Sequence, residues 1–488
     1  MQQLTGLDEM FLSLDTGPTT GHVAGIALFP APETPRDELA WLRQRVRERL
    51  PYLPLLRWRL HRAPLGVDQR YWVEMDEVDI DAHVVGVTLP KPGTQKQFQA
   101  VIDAEMSQLL DRERPMWKML VITGLADGGY AYVIKVTHGL ADGSALWAIY
   151  DQLSDHPTEK LERIPNQRPK GGSMGVLGRG IVRAAKTPVV VAGLAKDAAS
   201  WAGGRLADEK LRAIPNLIAR VTPGELSKPV ALIANKLRPV DDAEVASLFP
   251  SLMPPDSPFN GTTTANQSMV HTTFTVAELR AIGKLVNGTI NDALLAIMAA
   301  ALRRYMTSHG GIPNRPLIVS TPVSWRTGKE TERWANQVWM LFLPLPTHLG
   351  DPLARLRYAH EASSTAKANW ERVPGHLLRR ASALMPSMVM GPGAKLMARM
   401  PARLTPKMFN ASLSNVRGPR EIPVHGGRSM TDYLVFGFLS PGTGLLLGGQ
   451  SLGDNMAVTA TVCTDIVVGY EKLPTLLEDA KNELLALV

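Results

Sequence analysis

The sequence predicts an α/β protein of two lobes. Stretches with the two-residue period of a half-buried strand are repeatedly followed by stretches with apolar residues at helical spacing. At 488 residues the chain is too long for one ordinary core. A glycine-, alanine- and valine-rich run from Arg168 to Val230 carries eleven Lys and Arg against four Asp and Glu. Its surplus of seven equals the +7 of the whole chain, so the excess charge is local and the run reads as a linker. The lobes are expected at 1–165 and 231–488, with the basic linker at 166–230.

Composition narrows the class further. Hydrophobic residues make up 45% and charged residues 20%, the balance of a globular protein. The single cysteine, Cys463, excludes an intrachain disulfide and reads as a buried thiol in a reducing compartment. The first residues lack a basic segment followed by an apolar run, and the longest apolar run, Ala293–Leu302, is too short to span a bilayer. The expected location is therefore cytoplasmic, or peripheral on the inner membrane face or on lipid droplets. The positive charge favours anionic partners such as phosphates or lipid headgroups.

In chain order, His22 to Phe29 reads as a strand, Arg36 to Leu50 as a charged amphipathic helix, and Arg70 to Val73 as a strand. Leu110 to Trp117 reads as a turn anchored by a packed tryptophan. Met119–Ile122 and Tyr130–Val136 make adjacent strands joined by the Asp127-Gly128-Gly129 turn. From Gly143 the apolar residues Ala145, Leu146, Ile149 and Leu153 mark a helix. Between strand and helix lies His138-Gly139-Leu140-Ala141-Asp142-Gly143, whose glycines relax the backbone. A neutral imidazole takes a proton near pH 7 once something fixes its tautomer and orientation. His138 therefore reads as a general base. Asp142 is either its orienting group or the N-cap of the helix.

The second lobe reads as a strand from Ser268 to Phe274 and a helix from Thr275 to Leu285. Thr289 and Asp292 have capping-box spacing before a nearly all-apolar helix that must be buried. Leu317–Val323 is a strand leading to Ser324, and Ser414-Asn415 ends a strand that enters a glycine-proline turn. Strands and glycine turns alternate from Met430 to Thr461, and Pro474–Leu487 is a closing amphipathic helix. Between Glu371 and Glu421 there are nine Arg and Lys, no acidic residue and six methionines, a pattern of a basic helical hairpin or an acyl-lipid surface. Aromatic residues are nearly absent there, which argues against a nucleic-acid groove. The histidines and the cysteine show no metal-ligand spacing, so no metal is expected.

The loop resembles the HHxxxDG motif of the bacterial wax ester synthase/diacylglycerol acyltransferase family, within the chloramphenicol acetyltransferase-like superfamily. Its second histidine, the catalytic base, falls on His138, its aspartate on Asp142 and its glycine on Gly143. Thr137 stands in place of the first histidine, a departure that bears on activity, rate and acceptor choice. The resemblance continues in order through Leu7-Asp8, His22-Val23, Pro115-Met116-Trp117, Asn291-Asp292, Pro322-Val323-Ser324, Asn336-Gln337-Val338 and Ser414-Asn415-Val416-Arg417-Gly418-Pro419.

It implies two chloramphenicol acetyltransferase-like lobes with mixed sheets flanked by helices, and an active-site channel at their interface with His138 at its centre. It implies transfer of a long-chain acyl group from acyl-CoA to diacylglycerol or a long-chain alcohol, with Asn291, Ser324, Asn336, Ser414 and Asn415 near the substrates. Acyl-CoA is then a substrate, and no cofactor is expected. Two alternatives stay open: a lipid-binding paralogue without turnover, and the same chemistry on another acceptor.

Overall fold

A computed structural model describes residues 2–15, 20–61, 70–158, 254–324, 338–371 and 407–488. Five strands form the first sheet, in the order Asp432–Phe436, His22–Phe29, Tyr130–Thr137, Trp117–Thr123, Val84–Thr88. Neighbours are antiparallel except the last pair, which is parallel and is flanked by the intervening helix Gln95–Met106. Parallel strands need such a crossover because a tight turn cannot reverse the chain twice.

Every residue of the central strand Tyr130–Thr137 is buried, as its aromatic and β-branched run requires. On one face, Tyr132, Ile134 and Val136 pack in a core with Ala145, Leu146, Ile149 and Leu153 of the helix Gly143–Leu153. The other face carries Ala131 and Val133, which meet Phe98 and Ile102 of the crossover helix. Lys135, almost fully buried, ends on the Glu105 carboxylate 3.2 Å away and on the Gln108 carbonyl at 2.6 Å. Trp117 is buried as expected; its indole N–H donates to the Leu56 carbonyl at 2.8 Å and its ring stacks on His83.

The second sheet is mixed, in the order Val338–Leu345, Leu317–Ser324, Ala411–Val416, Leu445–Leu452, Asn455–Cys463, Gln267–Thr275. Strands 317–324, 411–416 and 445–452 run parallel, so their carboxyl ends share one edge. The helix Ile290–Thr307 lies in this lobe's core, and the capping box between Thr289 and Asp292 is formed as the spacing predicts. Cys463 is buried.

The lobes are joined by more than a linker. The edge strand Asp432–Phe436 lies within 231–488 but pairs with His22–Phe29, so the later part of the chain completes the first sheet. Met269 and Ala457 of the second lobe pack against Ala24, Ile26 and Val133 of the first. The Gly437 N–H donates to Thr461 Oγ1 at 3.0 Å, and Ser268 Oγ donates to Asp103 Oδ2 at 2.8 Å. The linker 166–230 lies outside the described residues, as does most of the basic, methionine-rich stretch before Glu421. Among the described residues no helix is long and apolar enough to cross a membrane.

Candidate active site

Thr137 ends the central strand, and the chain then turns in a short loop into the helix Gly143–Leu153. The His138 N–H donates to the Gly21 carbonyl at 2.7 Å, and the Leu140 N–H returns to Thr137 O at 2.9 Å. The glycines serve close packing rather than unusual dihedrals, for neither Gly139 nor Gly143 has positive φ. A Cβ on Gly139 would sit 2.9 Å from Leu12 Cγ and 3.0 Å from the Asp8 carbonyl oxygen, so glycine lets the helix Gly6–Leu14 press on the loop.

That pressure puts Phe11 on the imidazole of His138. The Phe11 and His138 rings stack with centroids 4.1 Å apart and planes 13° apart, and Phe438 meets the imidazole edge-on at 6.1 Å and 80°. His138 is half-buried. Burial pushes its imidazole below the ordinary 6.5, opposed by its own backbone carbonyl and the Asp142 carboxylate. The ring is therefore neutral at pH 7, the state a general base needs.

Asp142 is buried and caps the helix, its Oδ1 accepting from the Ala145 N–H at 3.0 Å. The N-cap reading of Asp142 is met, and its charge also raises the His138 pKa. Thr137 is fully buried directly opposite His22, and its hydroxyl makes no hydrogen bond among the described residues. His22 lies 3.4 Å from Asp15, both side chains out of solvent, and burial keeps its imidazole pKa low.

The second lobe reaches this loop through the end of strand 411–416. A Cβ on Gly143 would lie 3.3 Å from Val416 Cγ2, so the edge carrying Ser414 and Asn415 abuts the start of the helix Gly143–Leu153. Asn415 Nδ2 donates to Asn291 Oδ1 at 3.4 Å, which brings together two residues far apart in the chain. Ser324 lies exposed at the carboxyl end of its strand, on the same edge of the sheet as Ser414. Asn336 lies outside the described residues. Sequence reasoning missed Phe11 and Phe438, whose only signal was an aromatic in an otherwise ordinary amphipathic turn and another beside glycine.

A half-buried imidazole thus lies on the loop whose helix start meets the second sheet at Gly143 and Val416, the edge that also carries Ser414 and Asn415, which makes it the candidate site of a two-lobed α/β enzyme. The chain belongs to the wax ester synthase/diacylglycerol acyltransferase family: residues 4–294 match its catalytic domain and residues 334–485 its C-terminal domain. It is accordingly an acyltransferase.

Among its relatives, an O-acyltransferase of Acinetobacter baylyi is 26% identical over 486 residues, covering 98% of this chain and 96% of the relative. A Mycobacterium tuberculosis protein provisionally named a diacylglycerol O-acyltransferase is 28% identical over 444 residues, with 88% and 86% covered. The solved wax ester synthase/diacylglycerol acyltransferase of Marinobacter aquaeolei superposes with a TM-score of 0.65 at 23% identity, covering 99% of this chain and 98% of that one. A condensation domain of the calcium-dependent antibiotic synthetase shares the fold at a TM-score of 0.57 and 15% identity, with 99% and 96% covered. The fold is thus the chloramphenicol acetyltransferase-like one that the resemblance implies.

Proposed function

We propose that the protein transfers a long-chain acyl group from acyl-CoA to the hydroxyl of a diacylglycerol or a long-chain alcohol, with His138 as general base. The observation that carries this reading is the neutral, aromatic-flanked imidazole on the loop that meets the second lobe at Gly143 and Val416. His138 removes the proton of the acceptor hydroxyl as the oxygen attacks the thioester carbonyl. The tetrahedral intermediate collapses with cleavage of the carbon–sulfur bond, and the imidazolium returns the proton to the departing thiolate. No acyl-enzyme is required. Two substrates held in reacting geometry gain most from proximity, and the developing oxyanion needs donors such as Asn415 and Ser414 on the facing edge.

The basic stretches at 166–230 and before Glu421 support docking on an anionic membrane or lipid-droplet surface. Flotation with anionic vesicles at low and high salt tests this; failure to float at either salt contradicts it.

The reaction is tested by release of coenzyme A thiol from palmitoyl-CoA with dioleoylglycerol, with hexadecanol and without acceptor. Acceptor-dependent release supports transfer, and the faster acceptor identifies the product class. Thr137, which supplies no imidazole, favours one second reading: the same transfer to another acceptor, such as a sterol, a short alcohol or an amine. Release with one of these and none with dioleoylglycerol or hexadecanol would support it.

A further inference from the structure

We propose that Phe11 is a positioning residue for His138: its ring, stacked on the imidazole and braced by Phe438, fixes the plane of the base and keeps water off that face. The inference rests on the reading of His138 as the base of the proposed transfer.

Rotation of an imidazole about its last side-chain bond is broad and only loosely two-fold, so a flat ring packed on its face narrows the planes open to it. The backbone bond to Gly21 fixes where the residue sits, not which way the ring faces. Phe11 supplies that ring, face to face at 4.1 Å and 13°. Phe438 stands perpendicular to both, 5.5 Å and 88° from Phe11 and 6.1 Å and 80° from His138. Both phenyl rings are buried, at 6% and 8% exposure, so neither is free to swing away.

Stacking on one face leaves the ring edge clear of Phe11, and because Nδ1 on that edge is buried, Nε2 is the nitrogen a substrate would meet. The two phenyl rings come from different parts of the fold. Phe11 rides on the helix Gly6–Leu14, which Gly139 admits against the loop. Phe438 follows the edge strand Asp432–Phe436, just after Gly437 is tied to Thr461 of the second sheet. The orientation of the base is thereby coupled to the seating of the second lobe.

The test uses full-length wild type, Phe11→Leu, which keeps apolar cover but removes the flat face, and Phe11→Tyr, which keeps it. Two readouts need no turnover: the ring-current shift of the His138 carbon-bound protons and the relaxation of its ring carbons, assigned by their loss in His138→Ala. The expected result is an upfield-shifted, rigid imidazole in wild type and Phe11→Tyr, and an unshifted, mobile one in Phe11→Leu. The transfer assay should then show kcat about tenfold lower in Phe11→Leu with KM for acyl-CoA unchanged, and recovery in Phe11→Tyr. An imidazole equally rigid in Phe11→Leu overturns the proposal, as does a change confined to KM. If wild type shows no turnover, the acyl-transfer reading fails, while the ring measurements still decide whether Phe11 holds the imidazole.

Discussion

The helices Gly143–Leu153 and Ile290–Thr307 each begin beside an aspartate with a histidine nearby, one pair in each lobe. In the second lobe, Asp292 accepts from the Thr289 N–H at 2.7 Å and the Thr289 hydroxyl at 3.0 Å, lies 3.0 Å from His360 Nδ1, and takes a further hydrogen bond from Ser363. The carboxylate is saturated and pins the helix Pro352–Glu371 to the start of its neighbour. In the first lobe, Asp142 caps its helix through Ala145 and acts on His138 through its charge, while the imidazole is gripped by Phe11 and Phe438. The difference teaches that an aspartate next to a histidine does not make a base. What matters is whether the imidazole is spent as a tether or held by its face with its edge left for a substrate.

The comparison is broken most directly by deleting each histidine. His138→Ala should lower acceptor-dependent transfer by about 10²–10⁴-fold with little change in melting temperature, because a loop side chain is lost and a general base with it. His360→Ala should leave the rate within about twofold while lowering the melting temperature. Thermal melts and the thiol-release assay on both variants decide this, and a rate lost in both would remove the distinction.

The two carboxylates come next. Asp292→Ala removes the N3 half of the capping box and the four hydrogen bonds that the carboxylate takes from Thr289, His360 and Ser363, which should cost about 2 kcal/mol in a denaturant titration. Asp142→Ala removes one capping bond and should cost about 1 kcal/mol, and Asp142→Asn, which keeps an accepting oxygen, much less.

Asp142→Asn also sharpens the electrostatics. The carboxylate raises the His138 pKa, so its removal must lower it, and the acid limb of the rate profile should move to lower pH. A limb that moves upward would contradict the assigned interaction. The smallest effect is expected at Thr137. Its buried hydroxyl has no partner among the described residues, so Thr137→Val, of similar shape, should leave stability unchanged or raise it by up to about 1 kcal/mol. A clear loss in the same titration would show that the hydroxyl is engaged.

Periodicity made the local elements legible. The strand His22–Phe29, the hairpin of 117–123 with 130–137, the helix from Gly143 and the capping box at Thr289 all follow from residue spacing and turn chemistry. His138 stood out as the candidate base through the resemblance of its loop to the family motif, since most histidines are packing or surface residues and an H-x-x-x-D-G string alone is a weak signal. The strand Val84–Thr88 and the crossover helix Gln95–Met106 were not picked out: a five-residue strand with alternate exposure carries little periodic signal.

The origin of Asp432–Phe436 was also hidden, since nothing local says that a strand beyond the linker pairs with His22–Phe29. The same holds for Phe11 and Phe438, whose partner is fixed only by tertiary packing. Asn291 and Asn415 were named one at a time, and only the fold shows that they touch.

The central claim is that a neutral His138 with a depressed pKa takes the acceptor's proton. The measurement that tests it most directly is the pH dependence of kcat/KM for acceptor-dependent transfer, in wild type and in His138→Ala. A neutral base is lost on protonation, so wild type should show a single-proton acid limb with its midpoint below 6.5 and a plateau above it. The residual rate of His138→Ala should lack that limb. A limb that persists in His138→Ala, or a wild-type midpoint at or above 6.5, would contradict the account.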